Sequence, residues 1–157
     1  MRIFILIGFL YSHVVCSEDF VGREYPPMFA GYTSKTGACI AHELGREKFC
    51  DISISDLRSS DESWILVSKS TGITEKKAQW IVTDQIPYPD VKNGENLHLG
   101  SCRINGKFVH TLSAVVSEID AEWLPAVRWA ANVDLSTGTI STINAKGVEC
   151  LNEGWGI

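Results

Sequence analysis

Cys39, Cys50, Cys102 and Cys150 constrain this chain more than any other feature: they are an even set of thiols behind a segment with the layout of a secretory signal. Arg2 supplies a positive start, Ile3 to Leu10 an apolar stretch of signal length, and Val14 and Cys16 the short residues expected just before cleavage at Ser17. The stretch falls well short of the roughly 20 apolar residues that a bilayer span needs. A lipid anchor on Cys16 is the alternative, although His13-Val14-Val15 is a poor match to the Leu-small-small pattern of lipoprotein processing. The expected organisation is therefore a signal peptide over 1–16 and one globular domain over 17–157. The domain is exported, to the periplasm or the exterior of a bacterial cell.

In an oxidising compartment an even number of cysteines reads as a disulfide framework. Of the three possible pairings, Cys39–Cys50 with Cys102–Cys150 is favoured because each bridge then lies within one half of the chain. On the chain-entropy model the two bridges contribute roughly 3 and 4 kcal/mol, a large share of the ~5–15 kcal/mol net stability of a domain. The competing reading is zinc held by Cys39-x-x-His42 and Cys50. No second close pair of ligands is present to complete a tetrahedron, so neither a metal nor any other cofactor is expected.

Hydropathy patterning points to strands. Asp51-Ile52-Ser53-Ile54-Ser55 alternates with period two, Trp64 to Val67 is a short apolar run closed by Ser70-Thr71-Gly72, and Lys77 to Ile86 alternates up to Pro87. Asn105-Gly106, between Leu97–Ile104 and Lys107–Val116, is the strongest short-range hairpin signal. A second hairpin joins Val127–Leu135 to Thr139–Ile143 through Ser136-Thr137-Gly138, while residues 122–131 also suit a helix behind Asp120. Ala38 to Phe49 carries good helix formers around Gly45 and predicts one short N-terminal helix. The fold class expected is α+β and β-rich, with six or seven strands in mainly antiparallel sheets.

A two-residue turn at Asn105-Gly106 fixes register. It pairs Ile104 with Lys107 and Cys102 with Val109, and puts Leu97, Leu99, Phe108, Leu112, Ala114 and Val116 on the face expected to be core. His110 then sits among apolar side chains, as a neutral core histidine. His98 falls on the opposite face, so the two cannot form a catalytic pair. Cys102 projects from the less apolar side, which the C-terminal segment should cover.

Catalytic signatures are missing: there is no G-x-S-x-G, no H-E-x-x-H and no phosphate-cradling glycine loop. Carboxylates, among them Glu118, Asp120 and Glu122, are scattered. A formal net charge of −5 disfavours nucleic acid as a partner and suits a basic protein. The expected function is a small, acidic, exported binding or inhibitor module without enzymatic activity. The alternatives are a hydrolase with a carboxylate–histidine site around His98 or His42, and a structural envelope protein. His42, His98 and Trp155 are the functional candidates.

Overall fold

The computed structural model describes residues 18–41 and 50–156. They form twelve strands and, among the described residues, no helix. One antiparallel sheet has the order β1 (Glu24–Tyr25), β5 (Lys77–Pro87), β4 (Ser63–Thr74), β3 (Ile52–Arg58), β2 (Gly37–Ala41). The other runs β6 (Glu95–Leu99), β9 (Leu112–Ser117), β10 (Trp123–Asp134), β12 (Val148–Leu151), β7 (Cys102–Ile104), β8 (Lys107–Val109), with β11 (Thr139–Ile143) also on β10. Both disulfides have the expected partners, Cys39–Cys50 and Cys102–Cys150.

The sheets pack face to face over Ile40, Ile52, Ile54, Ile65 and Val67 on one side and Leu97, Leu99, Val115, Ala131, Val133 and Ile140 on the other. Each sheet is also covered on its outer face, so β4 is buried from Ile65 to Ser68 and β9 from Leu112 to Val116. A strand covered on both sides reads as a continuous apolar run rather than an alternation. Outside the first sheet, residues 18–33 lay Phe20 and Phe29 over Leu57, Leu66 and Val82. The Arg23 guanidinium lies over both rings, 5.1 and 4.5 Å from their centroids. The Gln85 side-chain amide clamps this segment, accepting from the Phe20 N–H at 2.6 Å and donating to the Glu18 carbonyl at 3.0 Å. Outside the second sheet, β7 and β12 fold over, and Cys102, Val148 and Cys150 pack on Leu112, Ala114, Val116 and Leu124.

Asp56 is wholly buried, and its carboxylate closes the chain between the N-terminal layer and β2. One oxygen accepts from the backbone N–H groups of Lys35 and Thr36 at 2.7 and 2.9 Å, and the other from Arg58 Nε at 2.6 Å. Burial alone would raise this carboxyl, but the two amides and the guanidinium outweigh it and hold it below the usual carboxylate range.

Several expectations change. The short helix over 38–49 is not present where it can be seen: Ala38 to Ala41 belong to β2 and pair with β3, while 42–49 lie outside the described residues. Burial of Ile40 between the sheets and a cross-link at Cys39 outweigh helix propensities of a few tenths of a kcal/mol per residue. The strand beginning at Trp64 does not stop at Ser70-Thr71-Gly72 but runs on to Thr74 and returns through Glu75-Lys76, both at positive φ. Residues 123–134 are a strand, not a helix.

The Asn105-Gly106 hairpin has the expected register, with Cys102 opposite Val109 and Ile104 opposite Lys107, and φ of 51° and 78° at the turn. It does not continue as one ribbon. The chain kinks at Gly100, where φ is +81° and a Cβ would press on Ala38, Ile40 and the His110 carbonyl. Beyond the kink β6 meets β9 one residue out of step, with Leu97 opposite Val115 and Leu99 opposite Ser113. That slip sends Leu97 and Leu99 into the inter-sheet core and Leu112, Ala114 and Val116 to the other face. Phe108, placed in the core by an unbroken ribbon, is 51% exposed, and His110 is exposed beside its ring.

Candidate functional site

The C-terminal tail and the loop between β9 and β10 build one end of the molecule together. Asn152 donates its backbone N–H to the Glu122 carbonyl at 2.8 Å and its side-chain amide to the Ala121 carbonyl at 3.1 Å. A tight turn follows, with Trp155 N–H on the Asn152 carbonyl at 3.0 Å, and the Trp155 side chain is 50% exposed. Ile119, in the partnering loop, is also exposed. Around these two apolar side chains stand Glu118, Asp120, Glu122 and Glu153, all exposed.

The charge there is uncompensated, in contrast to its surroundings. Glu149 pairs with Arg103, whose guanidinium also lies 3.8 Å from the Trp123 ring centroid. Glu95 is gripped by both terminal nitrogens of Arg128, at 2.5 and 2.6 Å, because a bulge in β10 swings that arginine across to β6. Among the described residues no lysine or arginine forms an ion pair with Glu118, Asp120, Glu122 or Glu153.

His98 lies at the inner margin of this end. It is half-buried on β6 beside the Leu151 backbone, with the carboxylates of Glu153 and Glu118 acting on it through space. Burial pushes its imidazole below the ordinary value, against the pull of Glu153, the Leu151 carbonyl and Glu118. Glu118 accepts from the Asn96 amide at 3.1 Å, and Ser101 Oγ donates to Glu153 at 3.3 Å. The nearby hydroxyl donates to the Glu153 carboxylate, and no hydrogen bond joins it to His98. What this geometry offers chemically is a docked tail and an anionic rim around exposed apolar side chains.

Two of the sequence candidates, His98 and Trp155, are brought to the same end of the fold. Their link is the tail: Leu151 touches His98, and Trp155 follows four residues on. Cys16, Ser17 and His42 lie outside the described residues. No group of three or more His, Cys, Asp or Glu among the described residues has the spacing to hold a metal ion. The acidic loop itself was missed by the sequence reading. Its signal was the alternation of Glu118, Asp120 and Glu122 around Ile119 and Ala121, in a stretch without Lys or Arg. No protein-family model, no curated protein and no solved structure matches this chain.

Proposed function

We propose that this chain is an exported, non-enzymatic binding module of the inhibitor type that docks a basic protein at the end built by residues 118–123 and the C-terminal tail. The observation that carries the reading is Trp155, held half in solvent by the Asn152 turn within a rim of four carboxylates without cationic partners. An exposed aromatic on a hydrogen-bonded turn, with unneutralised charge around it, supplies both an anchor and electrostatic steering for an oppositely charged partner. Two disulfides support an oxidising, exported location. The hydrolase alternative draws on His98, whose imidazole is engaged by the tail and kept toward its neutral form.

Affinity capture from an envelope or extracellular extract tests this, with the wild-type chain beside Trp155→Ala and Asp120→Lys/Glu122→Lys. One basic protein should be recovered in stoichiometric amount by the wild type and lost with either variant at unchanged thermal stability. Equal recovery by the variants removes the reading. A hydrolytic activity abolished by His98→Ala replaces it with the enzyme, and recovery of envelope material alone favours the structural role.

A further inference from the structure

The β4–β5 hairpin outruns the sheet that supports it. β3 last pairs with β4 at Lys69, apart from a Ser70 N–H bond to the Asp51 carbonyl, and β1 pairs with β5 only at Trp80 and Ile81. Beyond those points Gly72 pairs with Gln79, Ile73 with Ala78 and Thr74 with Lys77, and no other described strand joins them. Residues 71–78 are all exposed, and Ile73 is 49% exposed. The arm ends in Glu75-Lys76, at φ of 51° and 66°, with Lys77 next to it. An isolated two-stranded ribbon is marginally stable in water, and non-glycine residues at positive φ add roughly 1–2 kcal/mol of strain each. Neither Lys76 nor Lys77 has an ion-pair partner among the described residues.

The arm and the acidic end are complementary. One presents two free lysines beside an exposed isoleucine; the other presents Glu118, Asp120, Glu122 and Glu153 around Ile119 and Trp155. They stand at opposite ends of the molecule. At the base of the arm, Lys69 Nζ donates to the Ser136 carbonyl just past the C-terminal end of β10, whereas Glu122 immediately precedes its N-terminal end. Twelve residues of β10 at ~3.3 Å each separate the two by on the order of 35 Å. The arm reaches only about 13 Å past its support at the same rise, so it cannot fold back onto its own acidic end.

We propose that the arm of one copy docks on the acidic end of a second copy, Lys76 and Lys77 against Asp120 and Glu122, so that the chain self-associates head to tail. The inference rests on the docking end argued above. A contact between two different surfaces does not close on itself in a dimer, and it generates rings or open chains. The rim is exposed, so association is strongest at low salt and weakens as the Debye length shrinks from ~30 Å at 0.01 M to ~8 Å at 0.15 M.

Sedimentation of the full mature chain at low and high salt, over a wide concentration range, tests this with two charge-reversed variants. Lys76→Glu/Lys77→Glu carries an acidic arm and an acidic end; Asp120→Lys/Glu122→Lys carries a basic arm and a basic end. The wild type should grow beyond the monomer with concentration at low salt. Each variant alone should stay monomeric, and an equimolar mixture of the two should regain association, because each arm then meets an end of opposite charge. Regained association also shows that both variants are folded. A wild type that stays monomeric at every concentration overturns the proposal, as does association unchanged in either variant. If a basic partner is still captured by a strictly monomeric chain, only this inference fails and the docking end stands.

Discussion

Two layers cover the outer faces of the sandwich, and they are held by different physics. The N-terminal layer, residues 18–33, is nearly without regular structure: beyond the two residues of β1 and single backbone pairings of Gly22 and Arg23 with Val82 and of Thr33 with Arg58, it adheres through Phe20, Phe29 and a glutamine clamp. The C-terminal layer is a backbone ladder of β8, β7 and β12, continuing into β10 and riveted where Cys102 faces Cys150 directly. A layer with a ladder satisfies its own peptide groups and needs only an anchor in register. A layer without one depends on large side chains and on borrowed hydrogen-bond partners. The difference sets what breaks each of them.

The largest effect belongs to the riveted layer. Replacing both Cys102 and Cys150 by alanine removes a bridge spanning 48 positions, for which the chain-entropy model gives about 4 kcal/mol. Chemical denaturation should show the loss without a new intermediate, and hydrogen exchange should quicken first in β12 and the tail. Loss at Cys39–Cys50 should be smaller, since it spans 11 positions and Cys39 is exposed at an edge strand. Next comes Phe20→Ala. Phe20 is fully buried and in ring contact with Phe29 and Tyr32 at 4.9 and 5.0 Å, so truncation should cost about 3 kcal/mol. Its signature is release of residues 18–33 to proteolysis while the disulfide layer stays protected. Simultaneous opening of both layers would show that they unfold as one unit and erase the contrast.

Acid should also separate the layers, and in a stated order. His98 has a folded pKa below its unfolded value of about 6.5, so the fold favours the neutral ring. Its contribution is complete above pH 6.5 and is lost as pH falls through the lower folded value, loosening the tail first. Asp56 has a folded pKa below its ordinary 3.8, so its contribution is complete above about pH 4 and is lost only as pH falls below that. Exchange-detected titration should therefore show residues 151–155 loosening first, once pH falls below 6.5, and residues 34–36 only under stronger acid. His98→Gln should flatten the first transition and leave the second.

How far this was legible from sequence follows from where each side chain finds its partner. The Asn105-Gly106 turn and the cysteine pairs were legible because their determinants are local or are counted by simple arithmetic. The fate of Phe108, His110 and the Leu97–Leu99 pair was not, because it hangs on a one-residue slip at Gly100, where Ala38 and Ile40 of a distant strand approach too closely for a side chain. Ala38 to Ala41 were misread as helix for the same reason: pairing to β3 is a long-range contact that local propensity does not report. The acidic end was invisible because its carboxylates lie in two segments, 118–122 and 153, which only the tail's hydrogen bonds to Ala121 and Glu122 bring together.

The smallest effect expected is at the tip of the riveted layer, and it asks whether a ladder also protects its own turn. Gly106 has φ of +78°, Asn105 has 51°, and nothing stands within 4 Å of the Cβ that a substitution would add at Gly106. A larger residue there meets no steric obstacle from its surroundings, and the cost is backbone conformation alone. A β-branched side chain is the least tolerant of the left-handed region, so Gly106→Val should destabilise by about 1 kcal/mol. Asn105 N–H donates to the Gly147 carbonyl at 2.9 Å, so the tip is tied to the turn before β12 as well as to its own hairpin. The strain should then appear as faster exchange at Lys107 and Phe108 and not at Cys150, whose ladder lies beyond the bridge. Thermal melts of Gly106→Val and Gly106→Ala, with exchange on both, decide it: a larger loss for valine confined to β8 is the expected outcome. Unchanged stability in both variants would mean that the turn relaxes to another geometry and that the register of β7 with β8 is set by Cys102–Cys150 instead.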